Sequence, residues 1–339
     1  MTSSVDLRSD TVTKPTPAMH AAMMAAEVGD DVLGEDPTVS ALETKTATLF
    51  GLEAGLFCPS GTMTNQIAIR VQTQPQQEVI CHQQAHIYLY EGGGIAYNSL
   101  ASVRLLSGER GLLSAEAVAQ AINPVDDHYP ETALVALENT MNKGGGACYS
   151  TEQIAAIHTV CQQHGLPLHL DGARVFNALV ATREDPTTYG RYFSSISVCL
   201  SKGLGAPVGS VLLGSRELIR RARRVRKVLG GGMRQAGYLA AAGIYALDHH
   251  VEQLAEDHRR AAVLAEALAI QDYVQEVLPV ETNIVIFTLR EQSPAQFVET
   301  LKQRGVLAIP FGKQQVRMVT HLGVTDAQVD RILEVLQSL

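Results

Sequence analysis

Five short runs, Glu78–Cys81, Ala133–Leu137, Leu166–Leu170, Ile196–Leu200 and Val208–Leu213, are almost wholly apolar and end in polar residues. A strand with one wet face alternates apolar and polar side chains, so runs without alternation read as strands buried on both faces. Helical patterns lie between them. One starts at Asp36-Pro37 and runs to Phe50: Asp can cap, Pro suits the first turn and Gly51 suits the stop. Another runs from Thr151 to His164, with Ser150 or Thr151 as cap, Gly165 as stop, and Ile154, Ile157, His158 and Cys161 on one face. Strand–helix alternation through about residue 215 implies an α/β chain, a mostly parallel sheet covered by helices. After a long helical stretch, Met233 to Leu268, the pattern changes. Thr282–Leu289 and Val316–Val319 read as strands, and Pro294–Arg304 and Thr325–Leu336 as helices, giving a small α+β appendage with its boundary around 250–270.

Composition narrows the function classes. Twenty-seven basic against 35 acidic residues give a formal charge of −8, which argues against nucleic-acid and anionic-membrane partners. The five cysteines, Cys58, Cys81, Cys148, Cys161 and Cys199, are scattered and never spaced as CxxC, so they read as reduced thiols. No apolar run approaches the roughly 18 residues that span a bilayer, and MTSSVDLRSD lacks a basic-then-apolar signal. The expectation is a soluble, cytoplasmic protein.

In open parallel sheets, ligands bind beyond the carboxyl ends of strands. Three features fall there. Ser60-Gly61-Thr62 opens a helical pattern carrying Met63, Ile67 and Val71 on one face; free N–H groups, two hydroxyls and the helix dipole suit a phosphate. Asp171 closes the run Leu168-His169-Leu170 and precedes Arg174 by three residues. Lys202 closes the run from Ser195 to Ser201 and is followed by Gly203, Gly205, Pro207 and Gly209, so it can be partly desolvated and nucleophilic as the free amine. Each alone has an ordinary reading: an N-cap serine, a helix-capping aspartate, a solvated lysine. The run Gly203-Leu204-Gly205-Ala206-Pro207 fails as a dinucleotide loop, because strand rather than helix follows it. P-loop, zincin and α/β-hydrolase motifs are lacking, and no metal site is expected. His249-His250, adjacent in a helix, cannot share a face as a metal pair and reads as a solvated surface. In combination, a phosphate-holding helix start, a strand-end Asp and a strand-end Lys are what pyridoxal phosphate needs.

The residues at this point resemble the low-specificity L-threonine aldolases, pyridoxal phosphate enzymes of the fold-type-I, aspartate-aminotransferase-like class. The markers are Asp6-Leu7-Arg8-Ser9-Asp10-Thr11, the stretch from Gly29 to Thr38, Ser60-Gly61-Thr62, Ala85-His86, Leu137-Glu138-Asn139-Thr140, Asp171-Gly172-Ala173-Arg174, Leu200-Ser201-Lys202-Gly203-Leu204-Gly205, Gly230 to Gln235, and Val319-Thr320-His321-Leu322. The resemblance implies an amino-terminal arm over 1–14 that contributes to the site, a large cofactor-binding domain over 15–255 and a small carboxyl-terminal domain over 256–339. Lys202 would carry the cofactor, Asp171 would pair with its pyridine nitrogen, and Ser60, Gly61 and Thr62 would form the phosphate cup. His86 would lie over the ring and face the substrate's β-carbon. Ser9, Arg174 and Arg317 would hold the substrate carboxylate, and His128 aligns with a family histidine near the β-hydroxyl. Lys227 and Arg234, without an obvious partner in their own stretch, resemble residues that reach a neighbouring subunit's phosphate in a homotetramer with shared sites.

The implied reaction cleaves a β-hydroxy-α-amino acid such as L-threonine, L-allo-threonine or phenylserine to glycine and an aldehyde. His86, His128 and a positioned water all stand open as the base. The alternatives are a β-eliminating lyase of the same fold and, in other classes, a non-catalytic fold relative or a dinucleotide-dependent oxidoreductase. Two positions depart from the family: Leu33 stands where Tyr is common and Met141 where His is common. If both line the side-chain pocket, it is more apolar and favours phenylserine over threonine.

Overall fold

The computed structural model describes residues 4–339; the first three residues of the expected amino-terminal arm fall outside them. Seven strands form the main sheet: β1 (Ala54–Cys58), β2 (Glu78–His82), β3 (Ser102–Leu106), β4 (Thr132–Glu138), β5 (Leu168–Gly172), β6 (Ser195–Cys199) and β7 (Ser210–Gly214). Their order is β1-β7-β6-β5-β4-β2-β3, and only β7 runs against the others. Strands β2, β4, β5, β6 and β7 are buried along their whole length, as unalternating apolar runs require. Because β1 also runs with the majority, Cys58, His82, Glu138 and Cys199 end their strands at the same edge of the sheet, where Asp171 is the last residue but one of β5.

Helices α1 (Pro37–Leu49), α2 (Gly61–Gln72), α3 (Thr151–Gln163), α4 (Arg216–Val228) and α5 (Gly237–His249) accompany this sheet. Asp36 caps α1 through the Val39 N–H, and Ser150 and Gln153 form a reciprocal capping box on α3. Gly55 in β1 allows α1 to lie close, since a Cβ there would meet the Glu43 carbonyl oxygen at 2.8 Å. The core joins Phe57, Val135, Leu170, Ile196 and Val198 of the sheet to Leu42 and Ile157 of the helices and to Phe50 at the end of α1. Each such fully buried side chain contributes about 1.5–3 kcal/mol. Helix α2 differs from the rest: Ile67, Ala68 and Val71 are buried in the ordinary way, but so are Thr64, Asn65 and Gln66. Buried polar groups must be hydrogen-bonded, so this face of α2 marks a polar interior.

Helix α6 (Leu254–Ala269) joins two cores: Leu254 packs in the first, and Ala261, Leu264 and Leu268 pack in the second. The second core lies under an antiparallel sheet of β8 (Val274–Val277), β9 (Ile284–Leu289), β10 (Ile309–Phe311) and β11 (Gln315–Val319), ordered β10-β11-β9-β8 and flanked by α7 (Pro294–Gln303) and α8 (Asp326–Gln337). The amino-terminal segment is part of this unit. Val5 and Asp6 pair in parallel with Val306 and Leu307, and Leu7 is buried in the second core. Among the described residues no helix is long and apolar enough to cross a membrane.

Two expectations need correction. The stretch from Met233 to Leu268 is two helices, broken between His249 and Leu254. His250 is not on a solvated surface: it is buried, with Nδ1 2.7 Å from the carbonyl oxygen of Leu204. The ring turns inward to satisfy a loop carbonyl that follows Lys202, while its neighbour His249 stays exposed.

Candidate active site

Asp171 is buried at the end of β5, held by the Ala173 N–H to Oδ1 at 3.1 Å. Its other oxygen, Oδ2, is buried with no partner among the described residues. A carboxylate oxygen left so is costly unless a donor arrives, and a protonated pyridine nitrogen is such a donor. Lys202 lies three residues beyond β6, and its side-chain ammonium has no hydrogen-bond or ion-pair partner among the described residues. Its ammonium acts on Asp10 and on Cys199, helping to lower both. Ser60 caps α2 through the Met63 N–H at 3.2 Å. The N–H groups of Gly61 and Thr62, first in the helix, have no intrahelical acceptor and suit a phosphate. These features together fit pyridoxal phosphate.

The arginines stand nearby. Arg174 is buried and grips Asp10 with both prongs, Nε to Oδ2 and Nη2 to Oδ1, each at 2.7 Å. Burial alone would raise Asp10; the charge and hydrogen bonds of Arg174 overcome it and bring the carboxyl to about 2. Arg317, on β11, donates from Nη1 to Asn142 Oδ1 at 2.9 Å and from Nη2 to the Arg8 carbonyl at 3.1 Å. Its Nε is buried without a partner among the described residues. Burial, together with the like charge of Arg174, lowers this guanidinium to about 10. Both Asp10 oxygens serve Arg174, and among the described residues no carboxylate pairs with Arg317, so the locus is short of negative charge and suits a carboxylate. Ser9 lies beside it, its Oγ 3.4 Å from Asp10 Oδ1 and accepting the Thr11 N–H.

His86 starts a short helix after β2. Its backbone N–H donates to Glu138 Oε2 at 2.7 Å, and its Nδ1 lies 3.1 Å from Glu91 Oε1. Burial alone would lower the imidazole, but the Glu91 hydrogen bond and the charges of Asp171, Glu91 and Glu138 hold it above its usual value. Glu138 also accepts the Asn142 N–H at 2.9 Å; burial and the repulsion of Asp171 push its carboxyl up to about 7. Among the described residues, His86, Glu91 and Asp171 bring ligand-type atoms within 4.8 Å of one another. The Glu91 oxygens, however, are already receiving Asn65 Nδ2 and Gln66 Nε2. Asp10, Glu91, Glu138 and Asn142 belong to this cluster, and the sequence reading did not single them out. Asp10 and Glu138 stood inside marker stretches, while Glu91 left only the signal of an acidic residue before Gly92, Gly93 and Gly94.

Three expected residues are not in this cluster within one chain. His128 is 90% exposed in side chain, paired at 2.7 Å with Asp126 on the loop that enters β4. The cluster sits where β4 ends, so the length of that seven-residue strand, about 20 Å, intervenes. Lys227, in the last turn of α4, is exposed beside Val32, Leu33 and Gly232. Arg234 does have a partner: Nη1 donates to Asp30 Oδ2 at 2.9 Å, in an exposed pair. Nor does Met141 line the site. It is 0% exposed, and its Cγ and Cε pack where Gly111 has no side chain.

Residues 6–292 match the family model described as β-eliminating lyase. The chain is 45% identical to the low specificity L-threonine aldolase of Escherichia coli K12, covering 97% of both proteins. It is 43% identical to a probable low-specificity L-threonine aldolase 2 of Arabidopsis thaliana, over 99% of this chain and 97% of that one. Its fold is similar to that of the Leishmania major threonine aldolase, with a TM-score of 0.84 over 98% of each chain at 22% identity. With Asp171, Lys202 and the opening of α2 at one sheet edge and the match extending over nearly the whole chain, the protein belongs to the low-specificity L-threonine aldolases, within the β-eliminating lyase family.

Proposed function

We propose that this enzyme cleaves L-threonine and related β-hydroxy-α-amino acids to glycine and an aldehyde, with pyridoxal phosphate as cofactor. The observation that carries the reading is the buried, partnerless Asp171 Oδ2 at the same sheet edge as the unpaired Lys202. When bound, the cofactor supplies an electron sink for the bond that breaks. Ser60, Gly61 and Thr62 would hold its phosphate, Asp171 its ring nitrogen and Lys202 its aldehyde carbon. Arg317 and the remaining face of Arg174, with Ser9, orient the substrate carboxylate. His86, the histidine that this chain itself brings to the cluster, takes the β-hydroxyl proton.

Completion of the site by neighbouring subunits of a homotetramer is part of this proposal. It is supported by the exposed Lys227 and Arg234 and by large apolar side chains left bare on one chain, among them Tyr97 at 85% and Val228 at 86%. His128 would act, if at all, from such a neighbour. The five free cysteines agree with a reducing, cytoplasmic setting.

Purified enzyme should show the visible absorbance of a bound cofactor, bleach with borohydride, and release equal amounts of glycine and acetaldehyde from L-threonine. Ammonia and a keto acid in place of glycine would support β-elimination instead. A colourless protein that binds no pyridoxal phosphate would overturn the reading.

A further inference from the structure

Glu91 lies five residues after His86, beyond the short helix His86–Leu89. Gly92 and Gly93, both with positive φ, turn the chain back after it. Gly94 is needed for a different reason: a Cβ there would meet the Gln66 amide at 2.5 Å, the group that reaches the glutamate. The carboxylate is fully enclosed, with a side-chain exposure of 0%. Three donors converge on its two oxygens: Asn65 Nδ2 at 2.9 Å and His86 Nδ1 at 3.1 Å on Oε1, and Gln66 Nε2 at 2.6 Å on Oε2.

We propose that Glu91 is a positioning residue for His86, holding the proton on Nδ1 so that Nε2 is the atom offered to the substrate's β-hydroxyl. This rests on the aldolase reading above. The geometry fixes the tautomer. An ionised carboxylate only accepts, and amide donors from α2 already point at both oxygens, so His86 Nδ1 must be the donor in the third contact. The amides are themselves held from behind. Asn65 Oδ1 lies 3.1 Å from His169 Nε2, and His169 Nδ1 lies 2.8 Å from Ser195 Oγ at the start of β6. Gln66 Oε1 accepts Asn98 Nδ2 at 3.2 Å. His86 is thus held at two points by two carboxylates, its backbone by Glu138 and its ring by Glu91. Asp171 and Glu138 supply further negative charge around it, and the Tyr90 ring lies 5.6 Å away. A base in this setting is oriented in advance and made more basic, as histidines backed by a carboxylate are.

The test uses the holoenzyme with Glu91→Gln and Glu91→Asp. Cofactor content and absorbance are measured first, then kcat and KM for L-threonine across pH. His86 is titrated independently by NMR on protein with 13Cε1-labelled histidine, its signal assigned by loss in His86→Asn. In Glu91→Gln the carboxylate is gone, so the His86 midpoint should fall by about one pH unit, and the acid limb of kcat/KM should move with it. We expect kcat to drop about 10- to 100-fold with KM changed less than threefold. Glu91→Asp, which keeps the charge on a shorter stem, should recover part of both losses. A Glu91→Gln enzyme with full cofactor, an unmoved His86 titration and an unmoved pH profile would refute the proposal. Equal loss in Gln and Asp variants would refute it too, since that pattern means packing rather than charge. Should the unaltered enzyme release no glycine, the aldolase reading fails, yet the His86 titration still reports on the Glu91 contact.

Discussion

The buried pair of Asp10 and Arg174 invites the perturbation Asp10→Asn, which keeps the side chain's shape and removes its charge. Both Asp10 oxygens serve Arg174 at 2.7 Å, and Asn283 Nδ2 adds a contact to Oδ2 at 3.3 Å. In the variant an amide NH2 would face a guanidinium N–H, leaving a buried cation uncompensated. Breaking a buried pair in this way costs about 3–5 kcal/mol. Proton linkage gives a separate figure for the charge alone. The carboxyl falls from 3.8 to about 2 on folding, which corresponds to roughly 2–3 kcal/mol of stability at neutral pH. Because the folded value is the lower one, this stability is fully present above about pH 4 and is lost as pH falls through about 2. Urea unfolding of the holoenzyme at one fixed protein concentration, followed by far-ultraviolet circular dichroism, measures both. The Asn variant should be less stable by about 3–5 kcal/mol at pH 7, and its deficit should shrink by about 2 kcal/mol between pH 4 and pH 2. A deficit under about 1 kcal/mol at pH 7, or one that stays constant through the acid range, would refute the reasoning.

Borohydride reduction followed by peptide mapping should find the pyridoxyl group on Lys202, and Lys202→Ala should fold but not turn over; a label on Lys143 or Lys227 would overturn that role. Asp171→Asn should retain cofactor and lose at least about tenfold in kcat, since a charge-assisted bond to the ring nitrogen becomes a neutral one; near-normal turnover would remove Asp171 from the mechanism. Mixed oligomers of Lys202→Ala and Arg234→Ala chains should regain part of the activity that each variant lacks. No rescue in oligomers verified as mixed would count against shared sites.

What was legible in the sequence was legible locally. Asp171 and Lys202 stood out because unalternating apolar runs define where buried strands stop, and α/β sheets place ligands there. Ser60 stood out because a capping residue and a glycine open a helix. Strand β1 was not resolved, because Ala54-Gly55 gives it a weak strand pattern before Leu56. Edge strand β3, Ser102-Val103-Arg104-Leu105-Leu106, is largely exposed and lacks a continuous apolar run. The site's supporting contacts were invisible for a different reason: they join residues far apart in the chain. Asp10 meets Arg174, Asn65 and Gln66 meet Glu91, and Asn142 meets Arg317 only after the sheet and the small domain have assembled. An acidic residue before three glycines does not announce that α2 will deliver two amides to it.

The two departures from the family show how alignment to a site differs from occupancy of it. Met141 was expected to make the side-chain pocket more apolar, but its thioether fills the hollow left by Gly111 and Gly144. A residue lining an open site would show some exposure, and Met141 shows 0%. Leu33 is the opposite case. It is 69% exposed on the 3-10 turn Asp31–Leu33, beside Lys227, so it can reach a site only in an assembled oligomer. The buried Met141 therefore lends no support to a preference for phenylserine. Met141→His tests this directly. An imidazole in that closed hollow lacks a partner, so the variant should lose about 1–3 kcal/mol of stability. The ratio of kcat/KM for phenylserine to that for threonine should stay within about twofold of the unaltered enzyme, because one chain's site is untouched. A tenfold change in that ratio, about 1.4 kcal/mol, with stability preserved, would show that position 141 reaches the substrate after all.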